Sequence, residues 1–141
     1  MKSSTKVHFM SQRGDWKTPK ALYQTLDAEF HFDCDPCPPN HKKDGLAMVW
    51  GSVSYCNPPY GRAIGSWIEK AYSEAKLGKT VVLLIPSRTD TKWWHKYCMK
   101  ADEIRFIKGR LHFDDGPTGA PFPSAIVVFR GNGESSDSMP K

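Results

Sequence analysis

A run of five aliphatic residues, Val81–Ile85, constrains the fold of this chain more than any other feature. The run lies between Lys79-Thr80 and Pro86. A continuous apolar run of this length is typical of a strand that is buried on both faces, as in a parallel sheet. No apolar run in the chain approaches the ~20 residues needed to cross a bilayer, so we expect no membrane partner. The chain is therefore expected to fold around an internal sheet.

Helical and strand patterns alternate along the chain. Strand patterns occupy Phe30–Asp35, Ser52–Cys56, Val81–Ile85, Ile104–Ile107 and Ala125–Phe129, and helical patterns begin after Thr18-Pro19, after Gly61 and at Asp90. This alternation predicts an α/β fold with a mostly parallel sheet and helices on both faces. Ligands of such sheets bind beyond the carboxyl ends of the strands. The loops expected there are Asp35–Asn40, Asn57–Gly61 and Pro86–Asp90.

Length and composition predict one domain. The chain has 141 residues, of which 39% are hydrophobic and 25% charged, as in ordinary globular proteins. Residues 15–130 carry the periodic patterns and form the predicted domain. Residues 1–14 are expected to be a flexible arm, and the Gly/Ser-rich residues 131–141 a disordered tail. The first residues lack the apolar core of an export signal, so we expect a cytoplasmic protein.

The charge balance favours a polyanionic partner. Twenty Lys and Arg against fifteen Asp and Glu give a net charge of +5. A positive excess favours nucleic acid, although many basic proteins bind none. The five tryptophans are compatible both with a core and with stacking on bases.

The cysteines raise the question of a zinc site. Cys34 and Cys37 form a C-x-x-C pair near His31 and His41. The other two cysteines lie far apart in apolar segments, and His31 and Cys34 face opposite sides of the predicted strand. We therefore expect buried thiols and no metal. The alternative, a zinc-bearing nucleic-acid-binding module, predicts stoichiometric metal and unfolding by a chelator.

Asn57-Pro58-Pro59-Tyr60 carries the most chemical information, because it directly follows a predicted strand and precedes a predicted helix. Two consecutive prolines fix two φ angles and donate no backbone hydrogen bonds. A planar exocyclic NH₂ group has two hydrogens to donate. The Asn57 side-chain oxygen and the Pro58 carbonyl can accept both, which directs the nitrogen lone pair at an electrophile. Tyr60 offers a flat face on which a base can stack.

This tetrapeptide resembles the catalytic motif of amino-group DNA methyltransferases, which carry [DNS]-P-P-[YFW] and use S-adenosylmethionine. More closely, the chain resembles the small phage and prophage DNA N-6-adenine methyltransferases. The shared motifs follow the family's order between Asp15 and Phe129: Trp16-Lys17-Thr18-Pro19, Phe32-Asp33-Cys34-Asp35-Pro36, Trp50, Asn57–Gly61, Pro86-Ser87-Arg88-Thr89-Asp90-Thr91, Gly109-Arg110-Leu111 with Phe113, and Ala120-Pro121-Phe122-Pro123-Ser124-Ala125.

The resemblance implies a compact, Rossmann-like fold that binds S-adenosylmethionine and methylates the N6 amine of adenine in DNA. The implied catalytic residues are Asn57, Pro58, Pro59 and Tyr60. The implied cofactor-binding residues are Trp16, Thr18, Pro19, Asp35 and Pro36, with Asp44 as the nearest acidic candidate for the ribose hydroxyls. The target adenine would be flipped out of a duplex or lie in a single strand. A phage or prophage origin would place the enzyme, as a monomer or homodimer, in a bacterial cytoplasm.

Two features depart from the family pattern. The cofactor loop reads Cys37-Pro38-Pro39-Asn40 and has no glycine. Too few residues separate the cofactor strand from the catalytic strand for a full strand–helix–strand unit. A relic that binds DNA without turnover is therefore one alternative. Another is an amino methyltransferase acting on cytosine N4, on RNA or on a protein amide.

The expected DNA contacts are Arg88, Trp93 and Arg110. Arginine suits both phosphate contact and base reading. Trp93 and Trp94 are adjacent on a predicted helix and cannot both face the core, so one of them is free to wedge against bases. In a chain this short we expect no separate recognition domain. Recognition is therefore expected from Leu111–Pro123, from a dimer, or hardly at all, which predicts a short or relaxed target sequence.

Overall fold

The fold is built on a four-stranded sheet, and the computed structural model describes residues 16–38 and 44–131. The strands are β1 (Val53–Cys56), β2 (Thr80–Pro86), β3 (Glu103–Phe106) and β4 (Ser124–Arg130). Their order across the sheet is β1-β2-β4-β3. The expected arm at residues 1–14 and residues 132–141 of the expected tail lie outside the described residues.

Three helices accompany the sheet: α1 (Lys20–Phe30), α2 (Ile64–Lys76) and α3 (Lys92–Lys96). Short 3-10 turns lie at Gly45–Ala47, Cys98–Lys100 and Phe113–Asp115. α3 begins one residue later than predicted, because Thr91 rather than Asp90 caps it. The Thr91 hydroxyl accepts the backbone N–H of Trp94 at 3.2 Å. Among the described residues, no helix is long and apolar enough to cross a membrane.

The expectation of a mostly parallel sheet is wrong, because the sheet is mixed. β1 and β2 are parallel, whereas β4 is antiparallel to both β2 and β3. The connections from β1 to β2 and from β2 to β3 contain helices, which carry the chain back to the edge where the previous strand began. Residues 107–123 contain only a 3-10 turn. The chain therefore enters β4 from the edge where β3 ended, and β4 runs in the opposite direction.

The predicted strand at Phe30–Asp35 is reduced to a single bridge. α1 continues through Phe30, and His31 ends it in a left-handed conformation with φ of 59°. Only Cys34 pairs with β1, in parallel with Ser54. The helical spacing of Leu26 and Phe30 thus prevails over the short alternation of apolar and polar residues that follows. The extended segment still runs parallel to β1, so it ends at the same edge of the sheet.

Apolar side chains cover both faces of the sheet. On one face, Trp67 and Ile68 of α2 and Trp94 of α3 belong to the same buried cluster as Val81, Leu83 and Ile85. On the other face, Leu26 of α1 clusters with Phe113, Phe122 and the β2 side chains Val82 and Leu84. Helices therefore lie on both faces, as expected, and β2 is buried on both.

Candidate active site

The Asn57–Tyr60 loop lies at the carboxyl end of β1. Cys56 is the last residue of β1, and α2 begins at Ile64. Gly61 takes a φ of +104° in this turn, a conformation that favours glycine. Because β1 and β2 are parallel, the loop after Pro86 leaves the sheet at the same edge. Two of the three loops predicted to form the site therefore meet there.

The amide group of Asn57 is held by two hydrogen bonds from its nitrogen. Nδ2 donates to the backbone carbonyl of Trp16 and to the hydroxyl of Thr18, the latter at 3.2 Å. A backbone carbonyl can only accept, so the NH₂ side of the amide must face Trp16. The opposite atom, Oδ1, is buried and has no hydrogen-bond partner among residues 16–38 and 44–131. A buried amide oxygen without a donor is costly, which indicates a place for a donor from a ligand.

Tyr55 extends the hydrogen-bond network of Asn57 and Thr18 into the sheet. Its hydroxyl lies 2.5 Å from the Thr18 hydroxyl, and its ring is buried against Tyr23 and Phe32. Burial raises the pKa of Tyr55 well above its usual value, so the phenol stays neutral. Sequence reasoning missed Tyr55. In the sequence Tyr55 is typical of a core residue in a strand, and only the packing of residues 16–19 against β1 brings its hydroxyl to Thr18.

An aromatic cleft of about 430 Å³ opens beside the loop. Its wall is formed by Trp16, Tyr60, Gly61, Ile64, Pro86, Arg88, Thr91, Trp93, Pro121 and Phe122. The Tyr60 ring meets Phe122 edge-on, with centroids 5.5 Å apart, and Trp16 meets Phe122 in the same way at 5.4 Å. Flat apolar walls with a few polar groups suit a planar heterocycle.

The hydroxyl of Tyr60 is bound within the protein. It donates to the backbone carbonyl of Leu84 at 3.2 Å. Burial raises the pKa of Tyr60 well above its usual value, so this residue has no acid–base role near neutral pH. Its contribution to the cleft is therefore the flat ring.

The chain was compared with known proteins. A model of the family described as DNA N-6-adenine-methyltransferase (Dam) matches residues 2–133. The chain belongs to this family. One relative is the DNA N-6-adenine-methyltransferase of Haemophilus phage HP1 (strain HP1c1), which is 30% identical over 148 residues, 91% of this chain and 83% of the relative. The predicted membership, and the enzyme class of adenine-specific DNA methyltransferase, are confirmed.

The residues that the family resemblance predicts to bind the cofactor fall into two groups. Trp16, Thr18 and Pro19 lie on the Asn57 side, where the Trp16 carbonyl and the Thr18 hydroxyl accept hydrogen bonds from the Asn57 amide. Pro19 directly precedes α1, the place in a helix where its fixed φ is tolerated. Asp35 and Pro36 follow the segment that bridges β1, and Asp35 accepts the backbone N–H of Cys37 at 3.0 Å.

Asp44 has a structural role in the described residues. Its side chain is exposed and caps the 3-10 turn at Gly45–Ala47 by accepting the Leu46 N–H at 3.0 Å. The turn packs closely on the cofactor loop, since a Cβ at Gly45 would lie 2.2 Å from the Pro36 carbonyl oxygen. Asp44 therefore starts a turn that packs beside Pro36.

The three predicted DNA contacts separate into two places. Arg88 and Trp93 both line the cleft, and the guanidinium of Arg88 lies over the Phe122 ring at 5.9 Å. Arg110 is exposed and donates to the Ala120 carbonyl at 3.3 Å, so it connects the beginning and the end of the irregular segment 107–123. Trp94 is buried and Trp93 only partly so, as adjacent helix positions require.

The cysteines do not assemble a metal site in the part of the chain that the structure describes. Within residues 16–38 and 44–131, no three His, Cys, Asp or Glu side chains are placed to hold a metal ion. His41, one of the candidate ligands, lies outside the described residues. Cys56 and Cys98 are buried as free thiols, and burial raises the pKa of Cys98 to about 12. These two thiols are packing residues.

Proposed function

We propose that the protein transfers a methyl group from S-adenosylmethionine to the exocyclic N6 amine of adenine in DNA. The buried Asn57 Oδ1, which has no hydrogen-bond partner in the described part of the chain, supports this proposal most directly, because an adenine amine has the hydrogens that such an oxygen can accept. Membership of the adenine-methyltransferase family supports the choice of substrate.

Asn57 and Pro58 would accept the two hydrogens of the amine. Pro58 is buried next to Asn57, and it leaves its carbonyl oxygen as the second acceptor. Accepting both hydrogens turns the nitrogen lone pair out of conjugation with the ring and makes it a better nucleophile. Asn57 is not a base at neutral pH, so the proton that the amine loses after transfer passes to water. Most of the rate enhancement would come from positioning.

The aromatic cleft would hold the target base. Tyr60, with its hydroxyl bound to Leu84, presents its ring rather than a polar group. An adenine inside a duplex is out of reach, so it must be flipped out or lie in a single strand, and flipping costs a few kcal/mol. Stacking on an aromatic ring contributes about 1–3 kcal/mol per base, enough to offset much of that cost.

The residues beside Asn57 suit a positively charged cofactor. Asp35 directly follows Cys34, whose carbonyl accepts the backbone N–H of Tyr55 at 2.9 Å, so Asp35 lies beside the strand that leads to Asn57. A carboxylate there favours the sulfonium and ammonium groups of S-adenosylmethionine. When bound, this cofactor supplies an electrophilic methyl group. Asp35 and Pro36 would hold it, and the parallel β1–β2 pair with its crossover helix α2 fits the Rossmann-like fold that the family implies.

The test is methyl transfer from labelled S-adenosylmethionine to unmethylated DNA, with the products hydrolysed to nucleosides. We expect label on N6 of adenine with the wild type and none with Asn57→Ala. Label on cytosine would contradict the proposed acceptor. Absence of label while calorimetry shows cofactor binding would direct the search to RNA or protein amides. Absence of both would identify a protein that binds DNA without turnover.

A further inference from the structure

The hydrogen bonds on the nitrogen side of Asn57 determine where its oxygen lies. An asparagine amide can rotate by half a turn and exchange its oxygen for its NH₂ group. Here the exchange would place Oδ1 against the Trp16 carbonyl, an acceptor facing an acceptor, and would remove both bonds that Nδ2 now donates. The orientation with Oδ1 unpartnered is therefore the favoured one.

The Trp16 carbonyl selects this orientation, and Thr18 is the side chain that supports it. Its hydroxyl accepts from Asn57 Nδ2 at 3.2 Å and lies 2.5 Å from the buried Tyr55 hydroxyl. A threonine hydroxyl has one hydrogen and two lone pairs, so it can bind both neighbours at once. Tyr55 is fixed by its place on β1 and by its packing against Tyr23 and Phe32. Tyr55 on β1 thus fixes the Thr18 hydroxyl, and this hydroxyl in turn helps to fix the Asn57 amide.

We propose that Thr18 and Tyr55 are positioning residues that present Asn57 Oδ1 to the target amine. This inference rests on the proposed function, and it gives Thr18 a different role from the cofactor contact that the family resemblance implies. The two roles make different kinetic predictions. A positioning residue changes the rate of the bound complex, whereas a cofactor contact changes cofactor affinity.

The kinetic test compares Thr18→Val, which removes the hydroxyl at nearly constant shape, with Thr18→Ser, which retains it. We expect kcat to fall by about 10-fold to 100-fold in Thr18→Val, because small misplacements of a reacting geometry are costly. KM for DNA and for the cofactor should stay within about twofold, since neither is bound by this hydroxyl. Thr18→Ser should recover most of the rate. An unchanged kcat with a raised KM for the cofactor would overturn the inference.

The matched pair for Tyr55 uses its neighbour Tyr23. Tyr55→Phe removes the hydroxyl that meets Thr18, and Tyr23→Phe removes one from the ring that packs on Tyr55 at 5.1 Å. We expect a lower kcat only in Tyr55→Phe, with thermal melting used to check that both variants fold. Equal rates in the two variants would exclude Tyr55 from the network.

A readout independent of methyl transfer is the side-chain amide of Asn57 in ¹⁵N NMR. In the wild type, its hydrogen-bonded protons should exchange slowly with solvent. Thr18→Val should speed the exchange by about tenfold or more, and Thr18→Ser should not, because exchange follows the opening of hydrogen bonds. If the wild type transfers no methyl group, the proposed function fails and this measurement still decides the inference. Equal exchange in the wild type and Thr18→Val would refute it.

Discussion

At the scale of single residues, the proposed methyl transfer depends on which atom of the Asn57 amide is free to bind the substrate. Nδ2 is bound twice, and Oδ1 is buried with no partner in the described part of the chain. The site is thus arranged as an acceptor for a hydrogen-bond donor. Tyr60 adds a ring whose own hydroxyl is already bound to Leu84.

The two parts of Tyr60 can be separated by mutation. Tyr60→Ala should weaken binding of DNA with an extruded adenine by about 1–3 kcal/mol, the free energy of stacking one base on one aromatic ring. Tyr60→Phe should change it by less than about 0.5 kcal/mol, because the hydroxyl is bound inside the protein. The binding of both variants can be measured by the fluorescence of 2-aminopurine placed at the target position of the DNA. Equal losses in the two variants would show that the hydroxyl, not the ring, binds the base.

The residues of the proposed site could be selected from the sequence where a side chain, and not a backbone group, has the proposed role. Asn57 and Tyr60 follow from a tetrapeptide whose neighbours predict a strand and a helix. The Trp16 carbonyl could not be found in this way, because every residue has a carbonyl and only the fold selects one. Tyr55 reads as a core residue in a strand, and its contact with Thr18 depends on how residues 16–19 pack against β1.

At the scale of elements, an ion network around the buried Glu74 carboxylate joins α2, the turn before β2 and the segment before β1. The Glu74 carboxylate, 5% exposed, accepts from Lys70 at 2.8 Å, from Lys79, and from the backbone N–H of Trp50. Lys79 also donates to the Trp50 carbonyl at 2.8 Å. The Trp50 indole N–H donates to the Gly45 carbonyl at 2.8 Å, so the Glu74 carboxylate links the Gly45–Ala47 turn to α2 through Trp50.

Replacing Glu74 by Gln should reduce the free energy of unfolding by about 1–3 kcal/mol, since the charge that binds two partly exposed lysines is removed. Burial alone would raise the pKa of Glu74, but hydrogen bonds from Lys70 and Lys79 outweigh it and lower the pKa. Its stabilisation is thus present above the usual carboxyl pKa of about 4.3 and is lost as pH falls through the lower folded value. Denaturant titrations from neutral to acidic pH measure this.

The control for this prediction is Glu69→Gln, an exposed carboxylate on the same helix. It should change the unfolding free energy by less than about 0.5 kcal/mol at any pH. A Glu74→Gln effect that stays constant down to acidic pH would mean that the lost contribution is packing and not charge.

The strands were located by the sequence, but their directions were not. The run Val81–Ile85 lies inside β2, and Ala125–Phe129 lies inside β4. Whether a strand is buried depends on its side chains, and these can be identified in the sequence. Direction depends on the connection, and the irregular residues 107–123 return the chain antiparallel where a helix would have kept it parallel.

At the scale of the whole molecule, one irregular segment closes the cleft. Residues 107–123 bring Phe113 and Phe122 against the Trp16 ring, and the Asp114 N–H donates to the Lys17 carbonyl at 2.8 Å. The wall of the aromatic cleft and the network around Asn57 therefore combine residues 16–18 with residues 107–123. The sequence offered Leu111–Pro123 as one source of recognition, beside a dimer or hardly any recognition, and did not indicate that this segment would pack on Trp16.

A recognition surface this small predicts a short or relaxed target sequence. Of the predicted DNA contacts, only Arg88 and Trp93 line the cleft, and good base contacts are each worth about 1–3 kcal/mol of discrimination. Methylating an unmodified genomic DNA to completion and mapping the modified adenines will give the motif. A single long motif would contradict this expectation and would require a larger reading surface, such as a dimer.

The central claim is that Asn57 Oδ1 accepts the target amine, and single-turnover methyl transfer with saturating DNA and cofactor tests it most directly. Asn57→Ala should lower the rate constant by about 100-fold or more, the cost of removing one preorganised group at a reacting centre. DNA and cofactor should still bind, each within about threefold of wild type, because the amide contributes little to binding either alone. A rate in Asn57→Ala close to that of the wild type would show that another acceptor carries the reaction.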